Sequence, residues 1–568
     1  MARWRTLETG SPFRQLAVTL VLAILLRVIG NQHDAPYWSH PDEHHYVGNA
    51  VQMFWAGTLN PAYFVNPPLY TYVILLGLYG VFGIQLLIGG AETRAGFLAT
   101  LSPAVPFVIG RGLSALAGTA TCLVLYLIGR RFGGHLAGLL AALVQAVAFL
   151  SVKDAHFATN DVPMVFLVTL TFLLAARFLD EGRTRDLILG GLTAGLATAT
   201  KYNGVIALLP LGLACSLAPQ CREGPERRSR AVQIARRWLA LLVLAPAGFL
   251  LGNPYAVIDH EAFVSGFARI YGLRHKIWPG QRAEPIPLLA LETLRIELGW
   301  ALLIFVPLAA AVCLVRRGLR GRATVLAISL VLALLLYHLS QAYFMERFLL
   351  ASTPFLALTC AWGLVSLFEA PWTAWARHRV AIWVGVVAVL IIAPLARSVY
   401  FDTILYRPDT RLLAKAYLDR VAPPGSVVVR QTESLYGPPV DPKRHRLLFL
   451  KFNRALLDTD RGTGDFYVFN SFDLGQVPGV SEDDERLLMT ALERLGFSHV
   501  IFSPLRDGGD LWVERALSFR SYRHLFLYER PGPAIVIYAR PGTPVLGLPR
   551  KPSSPRSLDV EGAFAATV

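Results

Sequence analysis

The string HPDEHHY at residues 40–46 follows directly after the first long apolar run of the chain, residues 14–31. It places adjacent Asp42 and Glu43 just beyond a segment long enough to span a bilayer. Carboxylates are costly close to lipid, so the pair indicates a functional site as readily as a hydrated loop. The choice between these interpretations depends on where the rest of the chain places this loop.

The composition is that of a membrane protein. Of the 568 residues, 54% are hydrophobic and only 16% are charged, whereas soluble domains carry about 25% charged residues. The formal net charge is +15, but the basic residues form short clusters between apolar runs, as in cytoplasmic loops. We therefore expect no nucleic-acid partner. The five cysteines lack the spacing of zinc ligands, so we expect neither a metal site nor a disulfide framework from them.

Long apolar runs recur over residues 1–400 and predict about 11 transmembrane helices. The stretch 186–218 counts as two of them, because it is about twice a helix length and is interrupted at residues 201–204. With 11 spans, every basic cluster falls on one side of the membrane. The positive-inside rule identifies this side as the cytoplasm and places the N-terminus there.

One apolar stretch, residues 69–90, does not fit this parity. Counting it as a span would move the later basic clusters to the opposite side. We therefore predict that it is a helix lying at the membrane interface within the first external loop, residues 32–104.

Beyond residue 400 the chain becomes richer in charge, proline and glycine, and its apolar runs shorten. Strand-like runs alternate there with helical patterns, which predicts an extracytoplasmic α/β domain over residues 401–547. Strands are expected at residues 426–430, 447–450, 466–470, 499–502 and 534–538, and helices at 410–421 and 483–495. The polar residues 548–568 are predicted to be disordered.

The predicted topology gathers unusual polar residues at the external ends of the helices. They include Asp42-Glu43 in the first loop, Asp161 in the second, and the cations Arg111, Lys201 and Arg347. Paired carboxylates can act as a general base on an alcohol or amine. With His40, His44 and His45 they could instead hold a divalent ion, although these histidines lack a clear ligand spacing.

Three classes of function are compatible with this pattern. Acids and cations at one membrane face suit chemistry on a lipid-borne phosphate compound. They also suit a transporter or flippase of a lipid-linked or anionic solute, but a transporter is expected to hold ionisable groups near the bilayer midplane. The third class is a non-catalytic assembly protein whose external domain binds partners.

Seven motifs, in this order, resemble those of the dolichyl-phosphate-mannose protein mannosyltransferase superfamily and the related bacterial lipid-A aminoarabinose transferases. These are membrane glycosyltransferases of the GT-C fold (glycosyltransferase family 39-like), and the resemblance covers about residues 10–400. The motifs are His40-Pro41-Asp42-Glu43, Asn66-Pro67-Pro68-Leu69, Gly110-Arg111-Gly112-Leu113-Ser114, Gly129-Arg130-Arg131-Phe132-Gly133, His156-Phe157-Ala158-Thr159-Asn160-Asp161, Thr200-Lys201-Tyr202-Asn203-Gly204 and Glu346-Arg347-Phe348-Leu349-Leu350.

The resemblance implies an enzyme of the bacterial inner membrane that works on the periplasmic face. It would move a hexosyl or pentosyl group, with inversion, from a polyprenyl-phosphate donor to a lipid, glycan or protein acceptor. Membrane lipids would be further partners. No cofactor is implied, and a divalent cation is left open. The resemblance assigns catalysis to Asp42 as general base with Glu43 beside it. It assigns substrate binding to Arg111 and Lys201, which would hold the donor phosphate, and to Asp161, His156, Asn66, Tyr202 and Arg347.

Two departures from the family pattern leave the acceptor open. His156 stands where the protein mannosyltransferases usually have an arginine. The predicted soluble domain follows the last helix, as in bacterial members, whereas protein mannosyltransferases carry theirs between later helices.

Overall fold

We describe the protein from a computed structural model that covers residues 11–35, 37, 40–218, 230–273, 285–315, 319–341, 344–369, 378–450, 464–477, 479–518 and 523–542. The chain divides into two compact units. The first consists of Met1–Asp409 together with Leu505–Asp507 and Ala516–Pro531. The second consists of Thr410–Pro504, Gly508–Arg515 and Gly532–Val568.

The first unit is helical. Its α-helices are α1 (Pro12–Val28), α2 (Glu43–Ala56), α3 (Leu69–Leu87), α4 (Arg94–Thr100), α5 (Val105–Val147), α6 (Phe149–Lys153), α7 (Asp161–Glu181), α8 (Thr184–Thr200), α9 (Leu208–Leu217), α10 (Arg230–Gly252), α11 (Tyr255–Ile258), α12 (His260–Leu273), α13 (Ile286–Val315), α14 (Leu319–Leu339), α15 (Thr353–Phe368) and α16 (Arg379–Leu405). Short 3₁₀ helices at Asp154–His156, Tyr202–Ala207, Glu346–Ser352 and Leu525–Leu527 complete it.

Eight helices of the described chain are long and apolar enough to cross a membrane. They are Leu69–Leu87, Val105–Val147, Asp161–Glu181, Arg230–Gly252, Ile286–Val315, Gly321–Leu339, Glu346–Phe368 and Val380–Val421. The predicted polytopic helical fold is therefore confirmed.

The predicted count of 11 and the observed count of eight differ for reasons of length. Val105–Val147 contains two predicted spans, and three others correspond to the shorter helices α1, α8 and Tyr202–Leu217. The candidate Leu69–Leu87 is the stretch predicted not to cross. Its length and composition permit crossing, so its place at the interface stays a prediction.

The two spans within α5 are separated by a turn at Gly134. This residue has φ 81°, a conformation that glycine adopts without the steric cost of a Cβ. The segments on either side pack closely. A Cβ on Gly138 would lie only 2.5 Å from the carbonyl oxygen of Tyr126, so a glycine is needed at this contact. The predicted break at Lys201 is also confirmed, since α8 ends at Thr200 and a 3₁₀ turn leads into α9.

The apolar core of the first unit surrounds α15, in which Trp362 is fully buried. The core includes apolar residues from α5, α7, α8, α13 and α14. In α16, by contrast, residues such as Val389 and Ile392 are exposed, as expected for a helix that faces lipid. The buried helices thus form a scaffold, and the loops at their ends carry the polar residues discussed below.

The second unit contains a five-stranded sheet of order β2-β1-β3-β5-β4. The region from Thr410 onward contains α17 (Thr410–Val421), β1 (Val427–Arg430), β2 (Arg446–Phe449), β3 (Phe466–Asn470), α18 (Glu482–Arg494), β4 (Ser498–Phe502), α19 (Leu511–Ser518) and β5 (Ile535–Ala539). Strands β2, β1 and β3 are parallel, whereas β5 is antiparallel to β3 and β4. The central strands β3 and β5 are buried throughout, so the predicted α/β character is confirmed.

The five predicted strands and two predicted helices of this region agree with the structure to within one residue, whereas α19 was not predicted. A capping box explains one boundary: Ser481 accepts a hydrogen bond from the backbone N–H of Asp484, whose carboxylate accepts one from Ser481 N–H. The predicted tail, residues 548–568, lies outside the described residues.

Candidate active site

Asp42 lies at the N-cap of α2, but its side chain makes no capping bond. Its Oδ2 instead accepts a hydrogen bond from Arg347 Nη1 at 2.7 Å. Arg347 belongs to the 3₁₀ turn that precedes α15, and its Nη1 also lies 3.1 Å from Nε2 of His40. The structure therefore joins the first and last of the sequence motifs through a partly exposed ion pair.

Charge complementarity sets the ionisation of this carboxyl group. Burial opposes its charged form, but Arg347, with smaller contributions from His40 and Lys201, outweighs burial and lowers the pKa of Asp42 below its usual range. Burial lowers the pKa of neighbouring His40 to about 4. Asp42 is thus a carboxylate, and His40 a neutral imidazole, at neutral pH.

A second acid–cation pair lies close to the first. Lys201 Nζ contacts Asp161 Oδ1 at 2.5 Å. Asp161 is the first residue of α7, and Lys201 stands at the break between α8 and the following 3₁₀ turn. Asp161 and Arg347 also interact electrostatically. Two carboxylates and two cations from four separate segments are therefore brought together.

Glu43 points away from this cluster, into the protein. Both its oxygens pair with Arg111, at 2.7 Å from Nε and 2.9 Å from Nη2, and neither side chain is exposed. Oε1 also accepts a hydrogen bond from the N–H of Ala158. Arg111 Nη1 donates to the backbone carbonyls of Asn31 and His33. The pair links α2, α5 and two loops, so its geometry favours structural support for both residues.

The remaining predicted substrate-binding residues organise the surrounding loops. The ring nitrogens of His156 face the carbonyl oxygens of Val152 and Ile29, and burial lowers the pKa of His156 to about 4. Tyr202 donates a hydrogen bond to the carbonyl of Phe64 at 2.8 Å. Asn66 hydrogen-bonds to Tyr63. The structure does not bring these three side chains into the ion-pair cluster, and their role in substrate binding stays a prediction.

Two neighbours of the cluster escaped the sequence-based assignment of site residues. Tyr46 interacts electrostatically with Asp42, Asp161 and Arg347, and His338 interacts with Lys201 and Asp161. A third neighbour, His40, was considered only as a possible ligand of a divalent ion. His338 is buried and stacks on Phe348 at 4.8 Å. The sequence signal that could have identified His338 is its position at the end of a predicted span, where the charged site residues also lie.

Within the described ranges, no group of three or more His, Cys, Asp or Glu residues could hold a metal ion. What the cluster does offer is a carboxylate kept ionised beside two cations. Such a site can take a proton from one group and bind a phosphate on another.

Comparisons with known proteins agree with the predicted resemblance. Residues 98–249 match the family model described as dolichyl-phosphate-mannose-protein mannosyltransferase. An uncharacterized protein of Aquifex aeolicus (strain VF5) is 27% identical over 168 residues, which are 28% of this chain and 29% of that protein. The match thus spans less than a third of this curated relative.

Solved structures extend the likeness beyond this segment. The match to the apo crystal structure of the Archaeoglobus fulgidus oligosaccharyltransferase covers 88% of this chain and 74% of the archaeal chain, with 13% identity and a TM-score of 0.53. The oligosaccharyltransferase AglB from Archaeoglobus fulgidus, in complex with an inhibitory peptide and a dolichol-phosphate, gives the same coverage, 13% identity and a TM-score of 0.51. The match to ArnT from Cupriavidus metallidurans in the apo state covers 84% of this chain and 95% of the ArnT chain, with 15% identity and a TM-score of 0.48. The predicted GT-C fold is confirmed.

Proposed function

We propose that the protein is an inverting glycosyltransferase that moves a sugar from a polyprenyl-phosphate donor to a lipid, glycan or protein acceptor. The family match and the shared fold support sugar transfer in general. The dolichol-phosphate bound to the archaeal enzyme supports a lipid-phosphate donor. By the charge pattern of the loops, the reaction takes place on the periplasmic side of a bacterial inner membrane, where the C-terminal domain also lies.

The observation that carries this proposal is the pairing of Asp42 with Arg347. Arg347 donates to Asp42 through Nη1, while its buried Nε has no hydrogen-bond partner among the described residues. A buried donor without a partner is costly, which indicates a missing acceptor. A guanidinium group binds phosphate oxygens with two parallel hydrogen bonds. Arg347 is therefore suited to bind the donor phosphate, a role that the resemblance gave to Arg111.

The reaction then needs one displacement. The acceptor hydroxyl or amine attacks the anomeric carbon, its proton passes to Asp42, and the bond from that carbon to the phosphate oxygen breaks. The electron pair of this bond leaves on the polyprenyl phosphate, whose added charge Arg347 and Lys201 stabilise. Asp161 orients Lys201. One base suffices for inversion, so no covalent sugar–enzyme intermediate forms.

Reconstitution tests the reaction itself. The purified chain is placed in liposomes with lipid extract from cells that lack it, and mass spectrometry follows released polyprenyl phosphate and glycosylated acceptor. We expect both products to accumulate together. Movement of a lipid-linked sugar across the bilayer without either product would instead support the transporter hypothesis.

The pH dependence of transfer tests the Asp42–Arg347 pair. In the wild type the pKa of Asp42 lies well below its usual range, so no acid limb from this group is expected between pH 4 and pH 8. Arg347→Gln removes the main charge that offsets burial. The pKa of Asp42 should rise, and the acid limb should move to higher pH, in addition to any loss of rate.

The matched control is Arg14→Gln, which neutralises an exposed arginine of α1. Initial rates of transfer are measured from pH 4 to pH 8 for all three proteins. If Arg347→Gln shows no acid limb within this range, the assignment of Asp42 as the titrating base is contradicted.

A further inference from the structure

Two buried polar side chains beside the ion-pair cluster have no role in the displacement described above. Asp154 lies in the 3₁₀ turn before α7, and His338 lies at the end of α14. Each residue is only 3% exposed. Oδ2 of Asp154 and Nδ1 of His338 are buried without a hydrogen-bond partner among the described residues. An unpaired polar atom in a protein interior is costly, so each of the two indicates a ligand group that completes it.

Asp154 lies near the Arg347 side of the cluster. Its Oδ1 pairs with Lys153 at 2.9 Å, which leaves Oδ2 for another partner. The carboxyl group interacts electrostatically with Arg347 and Asp161, and also with Glu297 of α13. Burial raises the pKa of Asp154, and Lys153 opposes this shift. A carboxyl group accepts hydrogen bonds in either protonation state, so Oδ2 can accept one from a hydroxyl group.

His338 lies near the Lys201 side of the cluster. It interacts electrostatically with Lys201 and Asp161, and its ring stacks on Phe348, the residue after Arg347. An imidazole nitrogen donates to a hydroxyl group or accepts from one, depending on where the ring carries its proton. The two unpaired atoms thus belong to side chains near the two cations that are proposed to stabilise the donor phosphate.

We propose that Asp154 and His338 bind hydroxyl groups of the transferred sugar, an inference that rests on the proposed function. A sugar joined to a phosphate on Arg347 and Lys201 would lie next to both side chains. Its hydroxyl groups would donate to Oδ2 of Asp154 and exchange a hydrogen bond with His338. The phosphate has no such donor when ionised, and the polyprenyl chain has no polar group. The two residues would therefore recognise the sugar and not the lipid that carries it.

Comparison of the donor with a sugar-free lipid tests this role. Donor lipid is isolated from cells that lack the chain, and kcat/KM for the donor is measured in reconstituted liposomes. The inhibition constant of undecaprenyl phosphate is measured in the same liposomes. Asp154→Ala should lower kcat/KM for the donor by about 10–100-fold, the effect of one hydrogen bond to a charged group. The inhibition constant should not change, because undecaprenyl phosphate carries no sugar.

His338→Phe provides an independent variant at the same site. Phenylalanine keeps the aromatic stack on Phe348 but removes both ring nitrogens. It should lower kcat/KM for the donor by about 3–10-fold, the effect of a neutral hydrogen bond, with the same inhibition constant. Tyr337→Phe is the matched control, since it removes an exposed hydroxyl group from the adjacent residue. Its kcat/KM should equal that of the wild type.

Unchanged kcat/KM in both variants would overturn the proposal, and is the result expected if the two atoms bind only water. A parallel loss of kcat/KM and of undecaprenyl phosphate binding would also overturn it, because the variants would then disturb the site as a whole. If Asp154→Ala does not fold, His338→Phe decides between these outcomes. Absence of transfer by the wild type would overturn the proposed function and this inference together.

Discussion

Asp42→Asn is expected to lower the rate of sugar transfer by about 10²–10⁴-fold, the usual contribution of a positioned general base. Asparagine is nearly isosteric but cannot take the proton of the acceptor. The Asp42–Arg347 pair is partly exposed, and pairs of this kind stabilise proteins by about 0–1 kcal/mol. The thermal unfolding midpoint should therefore stay close to that of the wild type while the rate collapses. Release of polyprenyl phosphate from reconstituted liposomes measures the rate.

Glu92→Gln serves as the control for this variant. It neutralises an exposed acid in the segment between α3 and α4, away from the cluster. Its rate should equal that of the wild type. If Asp42→Asn transfers sugar at the wild-type rate, Asp42 is not the base, and Asp161 becomes the carboxylate to test.

Glu43→Gln is expected to destabilise the protein by about 3–5 kcal/mol, because it leaves the Arg111 guanidinium buried without its counter-charge. The same loss is expected for Arg111→Met, which isolates Glu43. In the double variant the loss should be smaller than the sum of the two, since neither buried charge then remains. Thermal unfolding of the wild type, the two single variants and the double variant in one detergent measures the coupling free energy between Glu43 and Arg111.

Arg131→Gln provides the comparison for a surface pair. Arg131 also lies on α5 and pairs with Asp180 and Glu181, but its side chain is partly exposed. Its loss should cost no more than about 1 kcal/mol. A Glu43→Gln variant that unfolds like the wild type yet transfers no sugar would return Glu43 to the catalytic role implied by the family resemblance.

The sequence predicted the helical scaffold because a bilayer demands long apolar runs, and these are visible without any tertiary information. It could not establish the orientation of Leu69–Leu87. Hydropathy reports that a helix prefers lipid, but interfacial and crossing helices of this length share that preference. The break at Lys201 was visible because charged and glycine residues interrupt a single apolar run.

The candidate site was predicted in its residue types but not in its pairing. Asp42 and Glu43 are neighbours, yet successive residues at a helix start point about 100° apart, so they face different partners. Arg347 was assigned to substrate binding, but the sequence could not show that its partner is Asp42, 305 residues earlier. The family resemblance assigned Arg111 to the donor phosphate, and the sequence could not show that its buried partner is Glu43, 68 residues earlier.

The contact between Arg347 and Asp42 has a kinetic consequence under the proposed function. Arg347 is hydrogen-bonded to Asp42, the carboxylate that must receive the acceptor proton. A donor phosphate competes with that carboxylate for the guanidinium group. Substrates should therefore add in order, the donor first and the acceptor second. Polyprenyl phosphate, the product that keeps Arg347 engaged, should leave last and inhibit competitively against the donor.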